Sequence, residues 1–112
     1  MKTYCFALDL HEAPELIEEY KWWHREENIW PEVLQCIRIK GVLSQEMYLS
    51  GNRLVLILTT SDDFSLEDKQ AADNASTAMQ KWEELMWKFQ KPLPHARLGE
   101  KWMPMEKIFE IR

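Results

Sequence analysis

Apolar and polar positions alternate from Thr3 to Leu10, with Tyr4, Phe6, Leu8 and Leu10 on one side and Cys5, Ala7 and Asp9 on the other. A period of two predicts a strand. From Pro14 the period lengthens, and Leu16, Ile17, Tyr20 and His24 fall on one helical face. Proline suits the first helical turn, which needs no amide donor, and Glu15, Glu18 and Glu19 lie near the positive end of the helix dipole. Pro31 disfavours helical geometry at Trp30, so the helix is expected to break or bend there. A second segment starts at Pro31 and ends where Lys40 precedes Gly41, a C-cap signature.

Val42 to Leu49 and Arg53 to Thr60 read as two strands joined by the turn Ser50-Gly51-Asn52. Asp62 to Phe64 opens a polar connection. A helix is expected from about Ala75 to Phe89, because Met79, Trp82, Leu85, Met86 and Phe89 recur at spacings of three and four, and Pro92 and Pro94 end it. After a loop containing Gly99, Met105 to Ile111 is expected as a fourth strand. The order β-α-β-β-α-β predicts an α+β, ferredoxin-like domain: an antiparallel sheet with both helices on one face, residues 1–112 forming one unit. Leu54-Val55-Leu56-Ile57-Leu58 is apolar on both sides of its strand, yet the helices cover only one face. A second copy on the open face, making a symmetric homodimer, is favoured over cover by loops or the C-terminal tail.

Composition narrows the partners. A net charge of -5 with no basic patch argues against nucleic acid. No stretch approaches the apolar length of a membrane span. The start MKTYCFALDLHEAPE turns acidic too early for a signal peptide. Cys5 and Cys36 stand in no C-x-x-C or Cys/His cluster, so they read as reduced thiols of a cytoplasmic protein.

Candidate chemistry centres on Tyr20 and His24, one helical turn apart on one face. Histidine is the side chain best suited to move protons near neutral pH, and a tyrosine beside it can orient it or bind a hydroxyl. By itself such a pair is as ordinary as any solvated histidine. Six tryptophans in 112 residues add to it, because indole faces pack on the C–H patches of sugar rings. Most must be core, as the spacing of Trp82 with Met79 and Leu85 indicates. Glu46, within a strand and on the same face as Tyr48, is a candidate acid or base, or a carboxylate pointing at solvent. Glycine-rich phosphate loops, H-E-x-x-H and G-x-S-x-G are absent, and His11 and His95 have no partners at metal-ligand spacing. No cofactor and no metal are expected.

The stretch Glu18-Glu19-Tyr20-Lys21-Trp22-Trp23-His24, followed by Ile29-Trp30-Pro31-Glu32, resembles the L-rhamnose mutarotase family. So do Met47-Tyr48-Leu49, Gln80-Lys81-Trp82 and Glu106-Lys107-Ile108-Phe109, in the same order along nearly the whole chain. The resemblance implies a dimeric α/β barrel of ferredoxin-like topology that interconverts the α and β anomers of a 6-deoxy-L-hexose, L-rhamnose or L-fucose. It assigns the proton-donor role to His24 and sugar binding to Tyr20 and Trp82. The sequence departs from the family pattern at Glu83, where a second tryptophan is usual, and at Gln45, where a tyrosine is usual; no binding role is carried to either. The run Trp82-Glu83-Glu84-Leu85-Met86-Trp87 with Gly99-Glu100-Lys101-Trp102 looks like the branch associated with L-fucose.

The expected mechanism is general acid–base ring opening, with His24 giving a proton to the ring oxygen and Glu46 or a water as the complementary base. Two rival readings share the architecture: a dimeric ferredoxin-like monooxygenase, and a sugar-binding module without catalysis.

Overall fold

A computed structural model describes all 112 residues. The strands are β1 (Lys2–Leu10), β2 (Val42–Ser50), β3 (Arg53–Thr60), β4 (Gln90–Lys91) and β5 (Met103–Pro104); the helices are α1 (Pro14–Trp23), α2 (Pro31–Ile37), α3 (Leu66–Ala75) and α4 (Thr77–Trp87). The antiparallel sheet runs β2-β3-β1-β4, with β5 also on β1, which is the ferredoxin-like order.

Register decides which side chains meet the helices. Phe6 pairs with Leu56 and Leu8 with Leu54, while Met47 and Leu49 oppose Leu56 and Leu54 from the other side. Because side chains alternate, all of these share one face. Against it lie Tyr20, Val33, Met79, Trp82, Met86 and Phe89, closing the core. Cys5, Val55, Ile57, Glu46 and Tyr48 occupy the other face. No helix is long and apolar enough to cross a membrane.

Four local expectations are corrected. First, α1 stops at Trp23, well before Trp30, because Asn28 Nδ2 donates to the Trp22 carbonyl at 2.8 Å and caps a terminal acceptor. Similarly, α2 ends at Ile37 rather than at Lys40, with the Arg38 amide bonded to the Leu34 carbonyl. Second, the connection after Phe64 holds α3, whose weak amphipathic pattern hid it. Ser65 Oγ accepts the Asp68 amide at its start, and Ser76 closes it and caps α4 through the Met79 amide. Third, α4 ends at Trp87, ahead of the prolines, because Gln90 and Lys91 pair with Leu10 and Asp9.

The fourth concerns the last strand. Residues Met105 to Ile111 form no ladder; the edge beside β1 is shared by Gln90–Lys91 and Met103–Pro104. Beyond the bond from the Met105 amide to the Cys5 carbonyl, the tail extends with Ile108, Phe109 and Ile111 exposed.

Candidate active site

The last turn of α1 delivers the Tyr20–His24 pair. Tyr20 is buried by Phe89, which meets its ring edge-on at 5.8 Å between centroids, and by the core around it. His24 is the C-cap residue, and its ring lies 4.3 Å from that of Tyr20. His24 Nδ1 is 2.7 Å from the Tyr20 carbonyl oxygen. A carbonyl can only accept, so Nδ1 carries the proton and Nε2 is the nitrogen left for chemistry. Burial pushes the His24 pKa below its ordinary 6.5, and the bond to the Tyr20 carbonyl opposes this in part. The imidazole is therefore neutral at physiological pH, with Nε2 unprotonated and able to accept a proton.

Burial also raises the Tyr20 pKa, the hydrogen bond from Gln90 works against it, and the Glu83 charge adds to it. Tyr20 stays a phenol. Its oxygen accepts from Gln90 Nε2 at 3.1 Å, and its hydrogen points towards Met47 Sδ at 3.7 Å, a weak acceptor. That proton is available to a better acceptor brought alongside.

Trp82 closes the inner wall of the site. It is buried, with its ring 5.5 Å from His24 and 5.2 Å from Trp30, and Trp23 packs edge-on against it at 6.2 Å. This edge-to-face cluster holds His24 from behind. Two adjoining cavities meet at Tyr20, His24 and Gln45, one of about 570 Å³ and one of about 700 Å³. The larger also takes in Trp82, Trp87 and Trp102, so half of the tryptophans border it. Either volume suits a small ligand.

Tyr20, His24 and Trp82 line the larger cavity together, whereas Glu46 meets Tyr20 and His24 only at the smaller one. Glu46 pairs with Ile57, one position out of phase with Gln45 and Met47, so its side chain leaves from the opposite face, where Tyr48 Oη donates to it at 3.1 Å. It borders only the smaller cavity. Glu46 thus shares the smaller cavity with His24, and its hydrogen-bonding partner there is Tyr48 rather than the imidazole.

Lys69 and Asp73 on α3 and Gln90 on β4, all lining the larger cavity, escaped sequence reading, and Lys101 was read only as part of a motif. Lys69 Nζ bonds Asp73 Oδ2 at 3.0 Å, and Lys101 pairs with Glu83. Glu83 therefore sits in an ion pair where the family resemblance implies an indole, and Gln45 borders the cavity where it implies a phenol. No group of three or more His, Cys, Asp or Glu side chains is arranged to hold a metal ion.

Comparison with known proteins bears on the fold and the family. An L-rhamnose mutarotase of Formosa agariphila superposes with a TM-score of 0.68 over the whole of both chains at 18% identity. The tetracenomycin F2 cyclase of Streptomyces glaucescens does so with a TM-score of 0.63 at 11% identity, also over the whole of both chains. At such identities these two establish the fold alone. The L-fucose mutarotase of Xanthomonas campestris is 40% identical over 111 residues, covering 99% of this chain and 89% of that protein. The family profile described as L-rhamnose mutarotase matches residues 3–111, and the chain belongs to that family.

Proposed function

We propose that the protein is a cofactor-independent aldose 1-epimerase acting on a 6-deoxy-L-hexose, L-fucose in preference to L-rhamnose. The observation that carries this reading is the fixed imidazole of His24, its Nδ1 proton held by the Tyr20 carbonyl at 2.7 Å and its Nε2 free beside a cavity walled by Trp82. The 40% identity to an L-fucose mutarotase and the charged residues Glu83 and Lys101 in the wall support L-fucose. The two sugars differ in which ring hydroxyls are axial, and polar wall groups discriminate such differences better than apolar ones.

In the proposed reaction, Nε2 takes the proton from the anomeric hydroxyl as the bond from C1 to the ring oxygen breaks. The imidazolium then gives that proton to the ring oxygen, leaving an open-chain aldehyde. Both oxygens start on C1, so one nitrogen can serve both, and His24 keeps the donor role without Glu46. Rotation about C1–C2 and closure by the reverse transfers give the other anomer. Tyr20 donates a hydrogen bond to the sugar, and Trp82 supplies an apolar wall.

The assembly in this proposal is a homodimer joined through the open sheet face, where Val55 and Ile57 stand, with a site in each chain. Two unpaired thiols, Cys5 and Cys36, fit a cytoplasmic setting. The test is exchange NMR on the H1 signals of L-fucose and L-rhamnose at equilibrium. Accelerated exchange of L-fucose above L-rhamnose is expected. Saturable binding without acceleration would instead identify a sugar-binding module.

A further inference from the structure

Among all buried side-chain polar atoms, only Asp73 Oδ1 and Gln90 Oε1 have no hydrogen-bond partner. Both residues line the same large cavity as His24, although they come from different elements, α3 and β4. Buried polar groups are satisfied as a rule, so two orphan acceptors on one cavity wall call for donors from outside the chain.

The surrounding chemistry defines those donors. Gln90 is only 3% exposed, and its Nε2 is committed to Tyr20 at 3.1 Å, which leaves the carbonyl end. Asp73 has one oxygen on Lys69 at 3.0 Å and the other on nothing. The carboxylates of Asp73 and Glu83 each have a lysine, Lys69 and Lys101, so the wall carries no surplus positive charge for an anion. Neutral donors spread over two points are what the hydroxyls of an unphosphorylated sugar provide. The terminal torsions of Asp and Gln are soft, so a small turn presents either orphan oxygen to the cavity.

We propose that Gln90 and Asp73 are sugar-binding residues, each accepting the proton of a different ring hydroxyl, Gln90 from beside Tyr20 and Asp73 from the α3 wall. This rests on the mutarotase reading and adds the contacts that select among hydroxyl patterns.

The test crosses side-chain removal with hydroxyl removal, using the full-length protein, L-fucose and its monodeoxy derivatives. Asp73→Ala is expected to raise KM for L-fucose about tenfold or more and Gln90→Met about fivefold, with kcat changing less. For one monodeoxy sugar, Asp73→Ala causes no further loss, because acceptor and hydroxyl disappear as a pair; a different monodeoxy sugar behaves so with Gln90→Met. A merely structural role would give additive losses for every sugar. Additive losses throughout, or an unchanged KM in Asp73→Ala, would overturn the proposal. Asp73 stands in the last turn of α3, its side chain 19% exposed and outside the hydrophobic core, so its variant decides the matter even where Gln90→Met does not fold. Should the wild type bind sugar without speeding exchange, the mutarotase reading fails, and the same cycle measured as Kd still decides the contacts.

Discussion

The backbone carbonyl of Tyr20 fixes the tautomer of His24. One residue thereby serves twice: its carbonyl holds the Nδ1 proton at 2.7 Å, and its ring lies 4.3 Å from the imidazole. The helical offset of four makes this possible, because a C-cap side chain can turn back on the carbonyl one turn earlier. His24→Ala removes the proposed proton shuttle and leaves the Trp82 cluster in place. Anomer exchange is expected to fall about a hundredfold to ten-thousandfold, the usual worth of a positioned acid–base group. Near-UV circular dichroism unchanged from wild type would show that the tryptophan packing survives. Wild-type exchange in this variant would remove His24 from the reaction.

The lowered His24 pKa sets the pH dependence. The neutral imidazole starts the reaction, so the exchange rate should stay level from mildly alkaline pH down through neutrality and fall only below the ordinary value of 6.5. Stability follows the same sign. Between the folded pKa and 6.5 the unfolded chain binds more protons than the folded one, so stability rises with pH there. The contribution is complete above 6.5 and is lost as pH falls through the folded value. Rate and thermal midpoint measured across that range, with His24→Gln as reference, check both. A rate that rises as the pH drops below 6.5 would point to the imidazolium as the starting form.

Glu46 provides a contrast on the same sheet. Its side chain leaves from the face opposite Gln45 and bonds Tyr48 at 3.1 Å. Glu46→Gln should therefore leave kcat for anomer exchange close to wild type, whereas a base acting on the sugar would lose the hundredfold or more of acid–base catalysis. Steady-state kinetics under identical conditions separate these outcomes.

The three long strands and their faces are legible because the alternation at Thr3–Leu10 and the apolar run at Leu54–Leu58 are dictated by burial, which a single sequence records. The faces of Gln45 and Glu46 followed from the same rule. The helix at Leu66–Ala75 was not legible, since it buries none of its residues fully and is held by its Ser65 and Ser76 caps and by packing on α4. With that helix went Lys69 and Asp73. Gln90 was lost for another reason: only pairing with Leu10 turns a residue just past a helix into a strand residue facing the core. The tail misled because Ile108, Phe109 and Ile111 have the composition of a strand without a neighbour in this chain to pair with.

That tail carries the final prediction. Ile108, Phe109 and Ile111 are 88%, 78% and 83% exposed, and Tyr48 on the open sheet face is 56% exposed. Apolar groups gathered at this density on a small monomer mark a contact surface, and a stable contact needs about 800 Å² from each partner. The open face of β1, β2 and β3 and the extended tail both present apolar side chains for such a contact. Sedimentation at micromolar concentration should give two chains, and Ile57→Asp or Phe109→Asp should shift the protein towards one, because each would bury an unpaired carboxylate. The larger of the two cavities at His24 lies on the helix side of the sheet, so the monomeric variants should keep anomer exchange per chain. Loss of exchange together with dissociation would instead mean that the second copy completes the site.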